Sequence, residues 1–249
     1  MRKVVYLVSL LFSHGVLAVD DCNIIVGEII ASAQPKDVKI KKIELLKDKC
    51  GGTGSYEYNL GIMYLLSDDI IKAYEIFHKG ITYKTKYTRD LRFGLIEVLI
   101  HQAELRKAVG ELEGLSKEFP KWYKPYGRAG QLQIDLSDYD TAIKNLETAN
   151  GIYKTAVAYA GLSVAYFNKE RHGDSANAMS VALEMDSGYA ACKQCMNAAA
   201  MSLYTLKDYK RAGKIMVLWA KADKNIVHDM DFQKLYKLLD THLSDLKGL

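Results

Sequence analysis

Apolar positions along this chain recur at helical spacing, in amphipathic runs that come in pairs. One alanine per pair marks the repeat, with steps of 35, 34, 34 and 36 residues: Ala73, Ala108, Ala142, Ala176 and Ala212. A fixed period of this length is typical of repeat architectures, in which one unit cannot bury its apolar face alone and must stack on its neighbours. The pattern therefore predicts an all-α array of helical hairpins.

The segments around these alanines resemble the tetratricopeptide repeat, a pair of antiparallel helices. In that repeat the seventh, eighth, eleventh, twentieth, twenty-fourth and twenty-seventh places are Leu-like, small, large, Ala, large and Ala-like, and the repeat from Gly54 supplies Leu60, Gly61, Tyr64, Ala73, Phe77 and Gly80. Four further repeats start at Arg89, Tyr123, Ala156 and Lys193. They depart from the pattern at Ile96, at Gln133, and at Ser175, which takes the twentieth place before Ala176. The resemblance implies a right-handed α-solenoid of helix-turn-helix repeats over residues 54–224.

The flanking segments complete the predicted array. Residues 19–53 resemble a degenerate first hairpin, with a cap at Asp20 or Asp21, a break at Pro35 and a single second helix that Gly51 and Gly52 end. Residues 225–249 carry apolar residues at spacings of three and four, which predicts one amphipathic C-terminal capping helix.

Residues 1–18 have the pattern of a secretory signal peptide. Arg2 and Lys3 precede the short apolar run Val4–Phe12, and Val16-Leu17-Ala18 supplies a cleavage site. The run is shorter than the ~20 apolar residues that a membrane-spanning helix needs. We therefore expect cleavage after Ala18 and an exported protein with no membrane insertion after cleavage, periplasmic in a bacterium and otherwise in the secretory pathway.

The four cysteines are interpreted in that oxidising setting. Cys22 begins the first predicted helix and Cys50 ends the second, so antiparallel pairing would bring them together as a disulfide. Cys192-Lys-Gln-Cys195 is a CxxC, for which three interpretations stay open: a local disulfide, a pair of small packing residues, or a catalytic thiol pair. No strand pattern precedes it, no His follows it, and no further zinc ligands lie at suitable spacing.

Composition and motifs argue against several function classes. The chain is 49% hydrophobic and 26% charged with 3 prolines, as in a globular protein. A formal net charge of +4 is too small to steer the protein to nucleic acid or anionic lipid by itself. The sequence contains no HExxH, GxSxG or Walker motif, and its histidines are scattered singly. We expect no enzyme activity, no cofactor, no metal site and no nucleic-acid partner.

The resemblance also implies a binding groove. In this family the first helices of successive repeats line a concave face, and fixed places in each helix point into it. Those places in this chain give Tyr58, Ile62, Phe93, Glu97, Lys124, Arg128, Gln131, Phe167, Asn197, Met201 and Tyr204, together with Leu65, Ile134, Val157 and Val164. Such an apolar and aromatic set with a few polar groups suits an extended peptide or an amphipathic helix. The alternative is that these residues merely pack between turns of the superhelix.

These patterns favour an exported, non-enzymatic scaffold or adaptor that binds a protein or peptide segment and acts in envelope or secretion-complex assembly. Two alternatives stay open. One is a structural subunit of a larger envelope complex that uses its convex or terminal surfaces. The other is a thiol-disulfide active protein that uses Cys192 and Cys195.

Overall fold

The computed structural model describes residues 19–242, with side chains from residue 21. The predicted signal peptide, and residues 243–249 of the predicted capping helix, lie outside the described residues. The described residues are helical throughout and contain no strand. They divide into two compact units at Ala103 and Glu104, which is the turn inside the second predicted repeat.

The first unit contains six helices. They are α1 (Val19–Ala31), α2 (Lys36–Glu44), α3 (Lys47–Cys50), α4 (Ser55–Leu66), α5 (Ile70–Thr82) and α6 (Thr88–His101). Helix α4 packs against α5, and α5 against α6. The core of this unit is built from buried side chains that include Ile43, Leu60, Phe77 and Leu91.

The second unit contains eight helices. They are α7 (Leu105–Glu118), α8 (Tyr123–Asp135), α9 (Tyr139–Ile152), α10 (Ala156–Asn168), α11 (His172–Met185), α12 (Lys193–Thr205), α13 (Tyr209–Ala222) and α14 (Met230–Asp240). Short 3-10 segments, Ser187–Ala191 and Lys224–His228, precede α12 and α14. The first helices α8, α10 and α12 are neighbours, and α14 covers α12 and α13. Leu146, Met179, Met216 and Trp219 are fully buried in the core.

Small residues set the distance between the two helices of a hairpin. A Cβ added to Gly61 of α4 would lie 2.4 Å from the ring of Phe77 on α5, and one added to Gly130 of α8 would lie 2.6 Å from Leu146 on α9. In the fourth repeat the Ser175 hydroxyl donates to the Ser163 carbonyl at 2.8 Å, so Ser175 occupies the small place where the two helices meet. Close approach of the helix backbones explains why these places exclude larger side chains.

The turns between paired helices share one backbone conformation. The residue at the fifteenth place of every repeat has a positive φ, near 60°, although none is glycine: Asp68, Ala103, Ser137, Glu170 and Lys207. In the first, third and fifth repeats an aspartate follows, and its side chain accepts the N–H three residues on: Asp69, Asp138 and Asp208. Such N-caps satisfy backbone donors that the first turn of a helix leaves without partners.

The first hairpin differs from the prediction in its second helix. The prediction of a single helix ending at Cys50 is wrong, because a tight turn at Leu45 and Leu46 separates α2 from α3. The Leu46 amide donates to the carbonyl of Ile43, three residues back, which tightens the helix at that point. Gly52 then follows with φ of 83° and Gly54 with φ of 78°, a conformation that favours glycine.

Candidate functional site

All eleven residues predicted to line the groove are half-buried and lie on first helices of the repeats. Helix α12 illustrates the arrangement. Asn197, Met201 and Tyr204 are four and three residues apart, and since each residue turns the helix by 100°, they form one stripe along it. The intervening residues Ala198, Ala199, Ala200, Ser202 and Leu203 are buried. The stripe is therefore the part of α12 that neighbouring helices leave accessible.

In the second unit this surface combines polar and apolar groups. Lys124, Arg128 and Gln131 follow one another along α8, and Arg128 Nη1 donates to Gln131 Oε1 at 3.2 Å. On α10, the ring of Phe167 lies 6.0 Å from that of His172. On α12, Tyr204 lies 5.5 Å from Tyr209, centroid to centroid. We call the surface of α8, α10 and α12 that carries these residues the second-unit face.

In the first unit the corresponding surface is aromatic and acidic. Tyr58 lies on α4 with its ring centroid 6.4 Å from that of Phe77, and Ile62 follows it one turn later. Phe93 and Glu97 lie on α6. Burial raises the pKa of Tyr58, and the nearby carboxylates of Asp90 and Glu97 raise it further. Carboxylates thus lie on this surface, where Arg89 pairs with Asp90 at 3.6 Å, whereas α8 carries Lys124 and Arg128.

Three further residues expected in the groove are buried instead. Leu65, Ile134 and Val164 expose only 6%, 8% and 3% of their surface, so the expectation that they reach a partner is wrong. Ile134 packs on the neighbouring helix α10, where its Cδ1 atom lies 3.5 Å from the position that a Cβ on Gly161 would take. Val157, at the second place of the fourth repeat, is exposed.

Both cysteine pairs lie at disulfide distance. The Sγ atoms of Cys22 and Cys50 are 2.11 Å apart and join the start of α1 to the end of α3. Those of Cys192 and Cys195 are 2.05 Å apart in the first turn of α12, where Cys192 is the N-cap and its sulfur accepts the Cys195 amide at 3.3 Å. The local-disulfide interpretation of the CxxC therefore fits this geometry better than two packing thiols.

A pairing that the sequence analysis missed links successive hairpins. Tyr64 on α4 donates its hydroxyl to Glu44 on α2, and Tyr166 on α10 donates to Glu147 on α9 at 2.5 Å. Burial raises the pKa of both tyrosines, and the hydrogen bond that each donates to a glutamate raises it further. The sequence did contain a signal for this pairing. In both cases a glutamate lies 20 or 19 residues before the large residue at the eleventh place of the repeat.

Other kinds of site find no support within residues 19–242. No group of three or more His, Cys, Asp or Glu side chains there could hold a metal ion. Within the same range no helix has the length and apolar character to cross a bilayer.

Comparison with known proteins identifies the fold to which this geometry belongs. No protein-family model matches the chain. The structure of the Cut9–Hcn1 hetero-tetramer of the APC/C matches 92% of this chain and 44% of that one, with a TM-score of 0.67 and 17% identity. YrrB, a TPR protein described as having an unusual peptide-binding site, matches 78% of this chain and 97% of its own, with a TM-score of 0.57 and 11% identity. The chain has the tetratricopeptide-repeat fold.

One curated relative is similar in sequence. The toxin VasX of Vibrio cholerae serotype O1 is 23% identical over 193 residues, which are 78% of this chain and 16% of that protein. The chain thus spans about a sixth of the length of this relative. Similarity at these levels to the solved structures establishes the fold, and the function must be argued from the residues of the faces.

Proposed function

We propose that the protein is a non-enzymatic scaffold that binds an extended segment of a partner protein on the second-unit face. The observation that carries the proposal is the accessible stripe on the first helices, which is half-buried while the residues around it are buried. Side chains held in this way keep a fixed geometry and still offer surface to a ligand. The peptide-binding site described for YrrB, which shares the fold, supports this interpretation.

The chemistry of the second-unit face defines the partner segment. Gln131 and Asn197 each offer a donor and an acceptor, as the backbone of an extended peptide requires. Phe167, Met201 and Tyr204 supply apolar surface for its side chains. The ammonium of Lys124 favours an acidic residue. The segment is therefore an extended peptide that combines apolar side chains with a carboxylate.

The proposal includes an exported location, which has a direct test. The signal-peptide pattern of residues 1–18 supports export. Both cysteine pairs at disulfide distance suit an oxidising compartment such as the periplasm or secretory pathway. Cell fractionation followed by mass spectrometry should find a mature chain that begins at Val19 and carries two disulfides. An intact leader on a reduced cytosolic protein would contradict export.

Site-specific photocrosslinking in the native host tests the binding face. A photoreactive phenylalanine analogue at Met201 should trap a partner, whereas the same analogue at Leu218 should not. Leu218 is the matched control because it is an apolar residue, 44% exposed, on the second helix α13 of the same repeat. Crosslinking at Leu218 alone would reject the face and favour a structural subunit that uses its outer surface. The identity of the trapped protein then tests the proposed role in envelope or secretion-complex assembly.

The geometry of the CxxC favours one second candidate, a thiol-disulfide active protein. Cys192 is half-buried at the N-terminus of α12, where the helix dipole stabilises a thiolate. An insulin-reduction assay separates the two candidates, because a scaffold should show no turnover. Turnover that is lost in Cys192→Ser would establish the redox function.

A further inference from the structure

A cleft of about 380 Å³ lies within the first unit, between α2–α3, α4 and α5. The side chains on which its chemistry depends are Glu44, Asp48, Tyr56, Tyr64, Lys79 and Tyr83. Tyr56, Leu60 and Tyr64 project from the side of α4 opposite to Tyr58 and Ile62, given 100° per residue. The cleft is therefore separate from the surface to which the proposed partner segment is assigned.

Tyr56 presents a hydroxyl to this cleft from a largely buried position. Its side chain is 3% exposed and lines the cleft. No residue between 21 and 242 makes a hydrogen bond to its hydroxyl, whereas the neighbouring Tyr64 donates to Glu44. The hydroxyl is not among the buried polar atoms that lack a partner, so it faces the open part of the cleft. It is therefore available to a polar group that enters the cleft.

The charges that act on this hydroxyl are carboxylates. Burial and the coulombic effect of Glu57, Glu44 and Asp48, in that order, raise the pKa of Tyr56 to about 12. Glu57 is occupied by two backbone amides, since it accepts from Gly52 at 2.7 Å and from Gly54 at 2.9 Å. Glu44 and Asp48 are exposed and can approach a ligand.

Two lysines also line the cleft and must be weighed against these carboxylates. Lys47 and Lys79 are both exposed, and a long flexible stem allows a lysine to keep its ammonium in water. Neither lysine is among the groups that shift the pKa of Tyr56. The charged groups that act on the Tyr56 hydroxyl are therefore carboxylates, and tyrosine rings supply the walls of the cleft.

We propose that this cleft binds an organic cation, a primary ammonium or a guanidinium on an alkyl stem. The Tyr56 oxygen accepts a hydrogen bond from the cation, Glu44 and Asp48 supply the opposite charge, and the tyrosine rings contact the stem. Two sources share this chemistry: a lysine or arginine side chain of a protein, and a free diamine. A volume of about 380 Å³ is at the small end for ligand sites and suits a ligand of this size.

Isothermal titration calorimetry on the full chain tests the proposal with three probes. They are N-acetyl-arginine amide, cadaverine, and N-acetyl-citrulline amide, which has nearly the shape of the first without its charge. We expect the two cations to bind, more weakly as salt is added, and the citrulline probe not to bind. Tighter binding of the arginine probe assigns the site to a protein side chain, and tighter binding of cadaverine assigns it to a free diamine.

Two variants and one control locate the binding. Tyr56→Phe removes the hydroxyl and keeps the ring, and Asp48→Asn removes one exposed carboxylate. Each variant should bind the two cations about tenfold more weakly, which corresponds to ~1.4 kcal/mol. Asp37→Asn is the control, because it removes the same charge from an exposed position of α2 outside the cleft. Equal binding of the citrulline probe, no binding of either cation at 10 mM, or equal affinity of Asp48→Asn and Asp37→Asn would each overturn the proposal. If Tyr56→Phe does not fold, the comparison of Asp48→Asn with Asp37→Asn still tests the proposal.

Discussion

Replacing Gly94 by alanine should destabilise the first unit through one aromatic ring. Phe77 of α5 is fully buried, and its Cε1 atom lies where two helices leave out a side chain. A Cβ on Gly61 of α4 would lie 2.4 Å from this atom, and a Cβ on Gly94 of α6 would lie 2.5 Å from it. The ring is therefore confined by both helices and cannot give way easily.

The size of the effect follows from two opposing terms. Overpacking of a well-packed core costs about 1–3 kcal/mol, whereas alanine in place of glycine within a helix gains about 1 kcal/mol. We expect Gly94→Ala to lower the free energy of unfolding by about 0–2 kcal/mol, the difference between the two terms. Gly114→Ala is the matched control, because Gly114 is also helical, in α7, and its added Cβ meets nothing within 4 Å. That control should gain about 0.5–1 kcal/mol.

Urea denaturation followed by circular dichroism measures both variants. Adding Phe77→Leu to Gly94→Ala tests the mechanism, because a smaller side chain makes room for the new methyl group. The double variant should be more stable than the sum of the two single effects predicts. A gain in stability in Gly94→Ala as large as that of Gly114→Ala, or strict additivity in the double variant, would refute the account of the confined ring.

Three other predictions concern turns, caps and the first cystine. Lys207→Gly should stabilise the protein by about 0.5–1 kcal/mol, because Lys207 has a φ of 62°, a conformation that costs a non-glycine residue free energy. The control Lys214→Gly, in the regular helix α13, should instead destabilise the protein. Asp138→Ala should cost about 1 kcal/mol in urea denaturation by removing the N-cap of α9, and an unchanged midpoint would contradict the cap. Replacing Cys22 and Cys50 together by serine should cost about 3–4 kcal/mol, the entropy of closing the chain between them, and a loss below 1 kcal/mol would show that the pair is not bonded in the isolated protein.

The sequence predicted helix positions well where the backbones of two helices pack closely. The proposed repeat starts at Tyr123, Ala156 and Lys193 are the first residues of α8, α10 and α12. Small residues at fixed places report close contact between two helices, and this contact depends on main-chain geometry more than on any particular neighbour. The assignment of Ser175 to the small place succeeded for the same reason, since its hydroxyl reaches the Ser163 carbonyl on the paired helix.

Side-chain environments that depend on a neighbouring hairpin were harder to predict. Val164 was expected to reach a partner, yet it is buried in the core of the second unit. The cleft around Tyr56 was also missed, since its walls come from three helices and its carboxylates lie in the segment where the predicted second helix is interrupted. Periodicity shows which side of a helix is apolar, but not how far the next hairpin covers it.

The repeat pattern constrains few enough positions to explain the weak sequence similarity. Six specified places in a repeat of thirty-four are about 18% of its residues. The matched structures share 17% and 11% identity with this chain at TM-scores of 0.67 and 0.57. Residues such as Lys124 and Met201 on the second-unit face are outside those places, so the repeat pattern leaves them free to vary, and under the proposed function they carry the specificity for the partner segment.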